Sequence, residues 1–226
     1  MHIPSGQSLS LAGSARAGFF SSPGVTVAFM LLGASTLVGC RAPLANAGPA
    51  PKPCMSPVAT ALTLDQTPIE PLASISRRAT AMIFMAVECP ICNRYAPEIQ
   101  RLAARFETAG VDFWLVYPNA DESPEVVRKH VEDYQLTALS KRVIRDPQHV
   151  LVQRTGARVT PEVVVYRPGG EQVYRGRIDD RFPALGLDRR EPTRRDLEQV
   201  LSAILDSRPI PTSGEPAVGC YIPPRP

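Results

Sequence analysis

The stretch AMIFMAVECPICNRYAPEI, residues 81–99, decides the reading of this chain. Its opening, Ala81 to Val87, is an unbroken apolar run, the pattern of a central strand buried on both faces. From Pro90 the period changes. Ile91, Tyr95, Ile99, Leu102 and Phe106 recur at spacings of three and four, one stripe of an amphipathic helix that Gly110 ends. Between strand and helix stand Cys89 and Cys92 in a C-x-x-C arrangement. This junction puts Cys89 at the helix N-cap and Cys92 one turn in. The unpaired amides and the positive end of the helix dipole favour a thiolate at Cys89. Pro90 suits the first helical position, where its missing N–H costs nothing. Such a thiolate attacks a substrate disulfide, and a second cysteine at this spacing resolves the mixed disulfide.

Working outward, residues 61–70 read as a short strand and turn, and 111–117 (VDFWLVY) as a strand with Trp114 in the core. Residues 124–134 read as a helix capped by Ser123 with Pro124 at its first position. A short strand over 141–145 and a short helix over 147–155, ended by Gly156, follow. Pro161 precedes the strand 162–167, and the Gly169-Gly170 turn leads into 171–178, a β-hairpin. Thr193 to Ser207 carries Leu197, Val200, Leu201, Ile204 and Leu205 on one face, a terminal helix. This order makes an α/β protein with a central mixed sheet flanked by helices.

The chain has 226 residues, 44% of them hydrophobic, enough for one packed domain with appendages. A net charge of +3 gives no basis for a nucleic-acid partner, which draws a concentrated basic face. The arginines at 175, 177, 181, 189, 190, 194 and 195, with Asp179 and Asp180 among them, read as a solvated, partly ion-paired surface, with a patch for acidic partners as the alternative. The 24 prolines crowd the two ends. The first 40 residues carry no acidic residue and one arginine, Arg16, before an apolar run from Val25 to Val38. That run is shorter than the roughly 20 residues of a membrane span, and suits the h-region of a signal peptide. It ends in Leu37-Val38-Gly39-Cys40, which resembles the bacterial lipobox, where cleavage precedes the cysteine and its sulfur takes a diacylglycerol. A competing cut follows Ala45-Asn46-Ala47. The expected organisation is a signal peptide over 1–39, a proline-rich tether over 40–60, the domain over 61–207 and a proline-rich tail over 208–226. The domain is then exported, as a lipoprotein on the periplasmic face of a bacterial membrane or as a soluble periplasmic or secreted protein.

A zinc site needs two more ligands beside Cys89 and Cys92. Cys54 and Cys220 form no second close pair, and His2, His130 and His149 show no ligand spacing. No metal is expected, and no cofactor beyond a redox-active disulfide.

The chain resembles the thioredoxin-fold superfamily, on its redoxin side of thioredoxin-like and peroxiredoxin-like bacterial proteins. Four features carry the resemblance: the apolar strand ending in Glu88-Cys89-Pro90-Ile91-Cys92; Pro97 in the helix; Val159-Thr160-Pro161 before a strand; and the closing hairpin and helix. It implies a thioredoxin-like fold, a cis bond before Pro161, and Thr160 and Pro161 as the substrate-docking loop beside the catalytic sulfur. It also implies protein thiols or disulfides as substrates, together with an electron donor. A closer resemblance is to redoxin-domain proteins with a stretch like CPIxNRYAPEI, a later YRGRIDDR and a terminal GC-x-I, matched here by Cys89 to Ile99, Tyr174 to Arg181, and Gly219-Cys220-Tyr221-Ile222. In such relatives the Cys92 position is also serine. Three outcomes are therefore open for Cys220: pairing with Cys89, a structural staple to Cys54, or a free or intermolecular thiol.

The resemblance suggests a thiol–disulfide oxidoreductase acting through Cys89 and Cys92. One alternative is a thiol peroxidase with Cys89 peroxidatic, although Ala86 stands where the peroxiredoxin pattern has threonine. The other is a copper-binding or delivery module, with His149 the histidine to examine. Glu88, where thioredoxins carry tryptophan, reads as a solvated turn residue.

Overall fold

The computed structural model describes residues 60–72, 77–212 and 214–225. The signal-peptide, tether and lipidation expectations, with Cys40 and Cys54, fall almost wholly on residues outside these and have no structural counterpart here. Among the described residues no helix is long and apolar enough to cross a membrane.

The centre is β3 (Ala79–Phe84), whose six residues are all buried. It runs parallel to β4 (Val111–Tyr117), and β4 runs parallel to β5 (Val143–Arg145). On its other side β3 pairs antiparallel with β7 (Glu162–Tyr166), which turns into β8 (Gln172–Gly176). A small hairpin, β1 (Ala61–Thr63) and β2 (Pro68–Ile69), adds to β5, so the mixed seven-stranded sheet is ordered β2-β1-β5-β4-β3-β7-β8. Alternate side chains point to opposite faces, and two cores result. Ala79, Ala81 and Ile83 join the core that takes in α1 (Pro90–Phe106), α2 (Pro124–Asp133) and α4 (Asp196–Leu205). Met82 and Phe84 join the second, with Leu151 of α3 (Val150–Thr155). This is the thioredoxin-like α/β arrangement expected from the sequence.

The differences from expectation have local causes. The central strand ends at Phe84 rather than Val87, because after a last bond from the Met85 amide to the Val116 carbonyl of β4 (2.8 Å) the Cys89 amide donates to the Ala86 carbonyl (3.2 Å), which turns the chain into α1. Trp114 is only partly buried, packed against the second core rather than sunk in it. The last helix begins at Asp196, not Thr193, because the Thr193 and Arg194 amides donate instead to Asp180 Oδ1, at 2.7 and 2.9 Å. The arginine cluster is ion-paired as expected: Arg177 and Arg194 to Asp196, Arg189 to Asp180, Arg195 to Glu98.

The proline-rich tail folds back. Its β9 (Cys220–Tyr221) pairs antiparallel with β6 (Val159–Thr160), a separate two-stranded sheet beside the first turn of α1.

The short helix α3 depends on one carboxylate. Asp146, fully buried, accepts the amides of Val150, Leu151 and Val152 at 2.8, 2.8 and 2.9 Å. Six residues cannot hold a helix in water unaided. Asp146→Ala, which orphans three donors, is expected to lower the unfolding free energy by about 2 kcal/mol or more in urea titration, and Asp146→Asn by less.

Candidate active site

Cys89 is the N-cap of α1, in an extended conformation (φ −86°, ψ 108°), and only 1% of it is exposed. Pro90 opens the helix as expected, and the helix continues through Pro97. The Thr160–Pro161 peptide is cis, and the loop it shapes lies against the helix start. As a thiol, Cys89 donates from Sγ to the Thr160 carbonyl oxygen at 3.1 Å. Directly across the β6–β9 ladder from Thr160 is Cys220. Three cysteines thus meet at one point, delivered by the N-cap, the first helical turn and the tail. Cys89, Cys92 and Cys220 are all free thiols, the first two buried and the third partly so.

The three sulfurs are not equivalent. Cys92, deepest in the core, offers its S–H and its amide to Cys89, and Cys220 does the same from the other side. Together, with the Cys92 thiol the largest contributor and burial opposing, they hold the Cys89 thiol down at about 4. Burial pushes Cys92 well above the ordinary thiol range, and the adjacent Cys89 adds to it. Burial, then Cys89, raises Cys220 to about 11. One thiolate is therefore stabilised by two protonated neighbours, which gives a nucleophile and two proton-holding thiols in contact with it.

Polar side chains that sequence reasoning did not single out hold this turn in place. Glu122, buried, accepts the Val87 amide (2.8 Å) and the Asn119 side-chain amide (2.9 Å) through Oε1, while Oε2 has no partner. Burial raises its carboxyl, with those two donors opposing. Nothing in the sequence separates Glu122 from Asp121 and Glu125, which are exposed. Behind Cys92, Asn93 Oδ1 takes the Nε2 proton of His130 (2.8 Å), so His130 Nδ1 accepts from the Tyr117 hydroxyl (2.9 Å). Burial lowers the His130 imidazole and keeps it neutral. On the other flank Tyr95 donates to Asp179 Oδ1 at 2.6 Å, and burial raises that carboxyl. Glu88 is exposed. His149, the histidine a copper site would draw on, has its Nε2 3.1 Å from the Pro118 carbonyl.

The AhpC/TSA family model matches residues 57–171. No curated protein matches the chain. Among solved structures, an uncharacterised conserved protein from Geobacillus kaustophilus superposes with a TM-score of 0.62 at 26% identity, over 74% of this chain and 89% of its own. A hypothetical protein from Sinorhizobium meliloti gives 0.62 at 21% identity, over 73% and 91%. A secreted disulfide oxidoreductase from Mycobacterium tuberculosis gives 0.44 at 24% identity, over 66% and 94%.

The thiolate has a direct readout. The 240 nm absorbance of the reduced chain should show an inflection near pH 4 that vanishes in Cys89→Ala and moves up in Cys92→Ala. The linkage has a definite sign. The folded value lies far below the roughly 8.5 of an unfolded thiol, so ionised Cys89 stabilises the reduced fold fully above that value. This contribution shrinks as pH falls and is gone below about 4. Reduced wild type should accordingly lose its stability advantage over Cys89→Ala across that window, and a flat difference would refute the assignment.

Proposed function

Since the chain belongs to the AhpC/TSA family, we propose that it is a thiol–disulfide oxidoreductase in which Cys89 attacks and Cys92 resolves. The observation that carries this reading is the geometry at the start of α1, where Cys89 is the N-cap, Cys92 follows one turn in, and the cis Thr160–Pro161 loop sets the Thr160 carbonyl 3.1 Å from Cys89 Sγ. In the reducing direction the Cys89 thiolate attacks one sulfur of a partner disulfide, and the partner's other sulfur leaves as a thiolate. Cys92 then gives its proton to that thiolate and attacks Cys89 Sγ. The partner's first sulfur is expelled as a thiolate that takes a proton from water, so the partner departs as a dithiol and a Cys89–Cys92 disulfide remains. Oxidation of a partner dithiol is the same sequence reversed. Thr160 and Pro161 serve as the docking loop, since they bring a strand edge against the reactive sulfur.

A thiol peroxidase with Cys89 peroxidatic is the second reading, favoured by the family match. Ala86, three residues before Cys89, supplies no hydroxyl for a peroxide. Insulin-disulfide reduction in the presence of dithiothreitol should be catalysed by wild type and lost in Cys89→Ser. Cys92→Ser combined with Cys220→Ala, which leaves no neighbouring thiol to resolve the intermediate, should accumulate a mixed disulfide on Cys89. Fast peroxide consumption without disulfide exchange would move the assignment to the second reading.

We place the activity outside the cytoplasm, anchored by lipid on Cys40, on the strength of the apolar N-terminal run and its lipobox-like end. Metabolic fatty-acid labelling in a bacterial host should depend on Cys40, and labelling unaffected by Cys40→Ala would remove the anchor.

A further inference from the structure

The strand edge beside Cys89 is occupied by the chain's own tail. Cys220 stands opposite Thr160 and Tyr221 opposite Val159. The Ile222 amide donates to the Arg158 carbonyl (3.0 Å), and the Arg177 amide, just beyond β8, donates to the Glu215 carbonyl (3.0 Å). Side chains alternate in this short strand as in any other. Cys220 turns in toward Cys89, and Tyr221 turns out with 83% of its surface exposed.

The seat is built for close approach. A Cβ on Gly219 would lie 2.0 Å from the Thr160 carbonyl oxygen, and one on Gly214 would lie 1.8 Å from the Arg175 carbonyl oxygen. On the receiving side, a Cβ on Gly176 would meet the Glu215 carbonyl at 2.3 Å. These glycines explain why two separated sequence features, YRGRIDDR and GC-x-I, occur together: Gly176 and Arg177 of the first hold the approach to the second. The seat is also slight. Two paired residues and a few flanking hydrogen bonds hold it, so a competing strand can displace it.

We propose that residues 218–222 are a substrate strand built into the chain, with Cys220 in the place a partner's cysteine would take, and that Cys220 is a third redox thiol which forms a disulfide with Cys89. The inference rests on Cys89 being the attacking thiol. The step balances without an outside oxidant. The Cys220 thiol gives up its proton and attacks Cys89 Sγ, and the Cys89–Cys92 bond breaks. Cys92 leaves as a thiolate and takes the proton, and a Cys89–Cys220 bond is formed. Cys92 suits the protonated end of this exchange, because it is buried and strongly favours the neutral thiol.

The exchange moves the oxidising bond from the core to the surface. Cys220 borders a groove of about 320 Å³ lined by Pro90, Ile91, Phe182, Leu185 and Leu187. A partner thiol entering there attacks Cys220 Sγ and expels Cys89, the best leaving group of the three because its thiolate is the most stabilised. A partner that attacks Cys89 directly must first lift the tail. Partners thus divide into those that react at Cys220 and those that compete with β9 for Thr160.

The test is disulfide mapping by mass spectrometry on the full chain, equilibrated in glutathione redox buffers and quenched in acid. Cys92→Ser is expected to form an internal Cys89–Cys220 bond about tenfold or more in preference to a Cys89–glutathione adduct. Adding Gly219→Ala should reverse that preference, because the tail can no longer seat, while Gly219→Ala alone leaves Cys89–Cys92 formation intact. Cys220→Ala should remove the new bond and preserve Cys89–Cys92. If Cys92→Ser collects the glutathione adduct with Cys220 free, or joins Cys220 to Cys54, the inference fails and the proposed function stands. If wild type forms no Cys89–Cys92 bond at any buffer ratio, the proposed function itself fails. Should Gly219→Ala not fold, Cys92→Ser combined with Cys220→Ala carries the control: glutathione collecting on Cys89 in place of the internal bond supports the inference, and an internal bond that persists opposes it.

Discussion

The contact between Cys89 Sγ and the Thr160 carbonyl oxygen joins three parts of the chain that are remote in sequence. The strand-to-helix turn brings the sulfur, the cis-proline loop brings the carbonyl, and the tail closes on the same loop through β9. A thiol near a lone carbonyl would stay protonated. What changes the outcome here is the arrival of two further S–H donors, one from each side, so that the charged sulfur is solvated by cysteines rather than by water. Burial, which alone would raise all three thiols, instead separates them. It penalises every thiolate, and only Cys89 has donors enough to overcome the penalty.

The turn that makes this possible is held by buried polar groups whose hydrogen bonds are satisfied only in this geometry. The Val87 amide would be orphaned without Glu122, and Asn93 ties the Val87 carbonyl to the neutral His130 and through it to Tyr117. Such a network is costly when incomplete, so it specifies the path from β3 into α1 more sharply than apolar packing would. The motif YRGRIDDR belongs to the same logic. Asp180 gathers the Thr193 and Arg194 amides, Arg177 meets the buried Asp196, and Gly176 leaves room for the returning tail. Its charges pair across the far flank of the site.

Much of the frame was legible from residue order. The apolar run before Cys89, the helical stripe after it and the hairpin around Gly169-Gly170 each report a local period, and local period reflects which faces are buried. The misreadings are also local. Thr193 and Arg194 have helical neighbours but spend their amides on a carboxylate 13 and 14 residues away. Trp114 has apolar neighbours but lies on a face that only partly covers it.

By itself the sequence determined that Cys89 would start a helix and that Cys92 would sit one turn behind it, because both follow from spacing within a single element. It determined equally that the Thr160–Pro161 bond would face a reactive sulfur, through resemblance to proteins built the same way. Only the tertiary structure decided that Glu122 is buried while Asp121 is exposed, and that Cys220 belongs to the site at all. The physical reason is the same for both. A carboxylate's burial and a tail's docking depend on partners dozens of residues distant, and no periodicity records where a chain will find a strand edge open and a glycine to let it in.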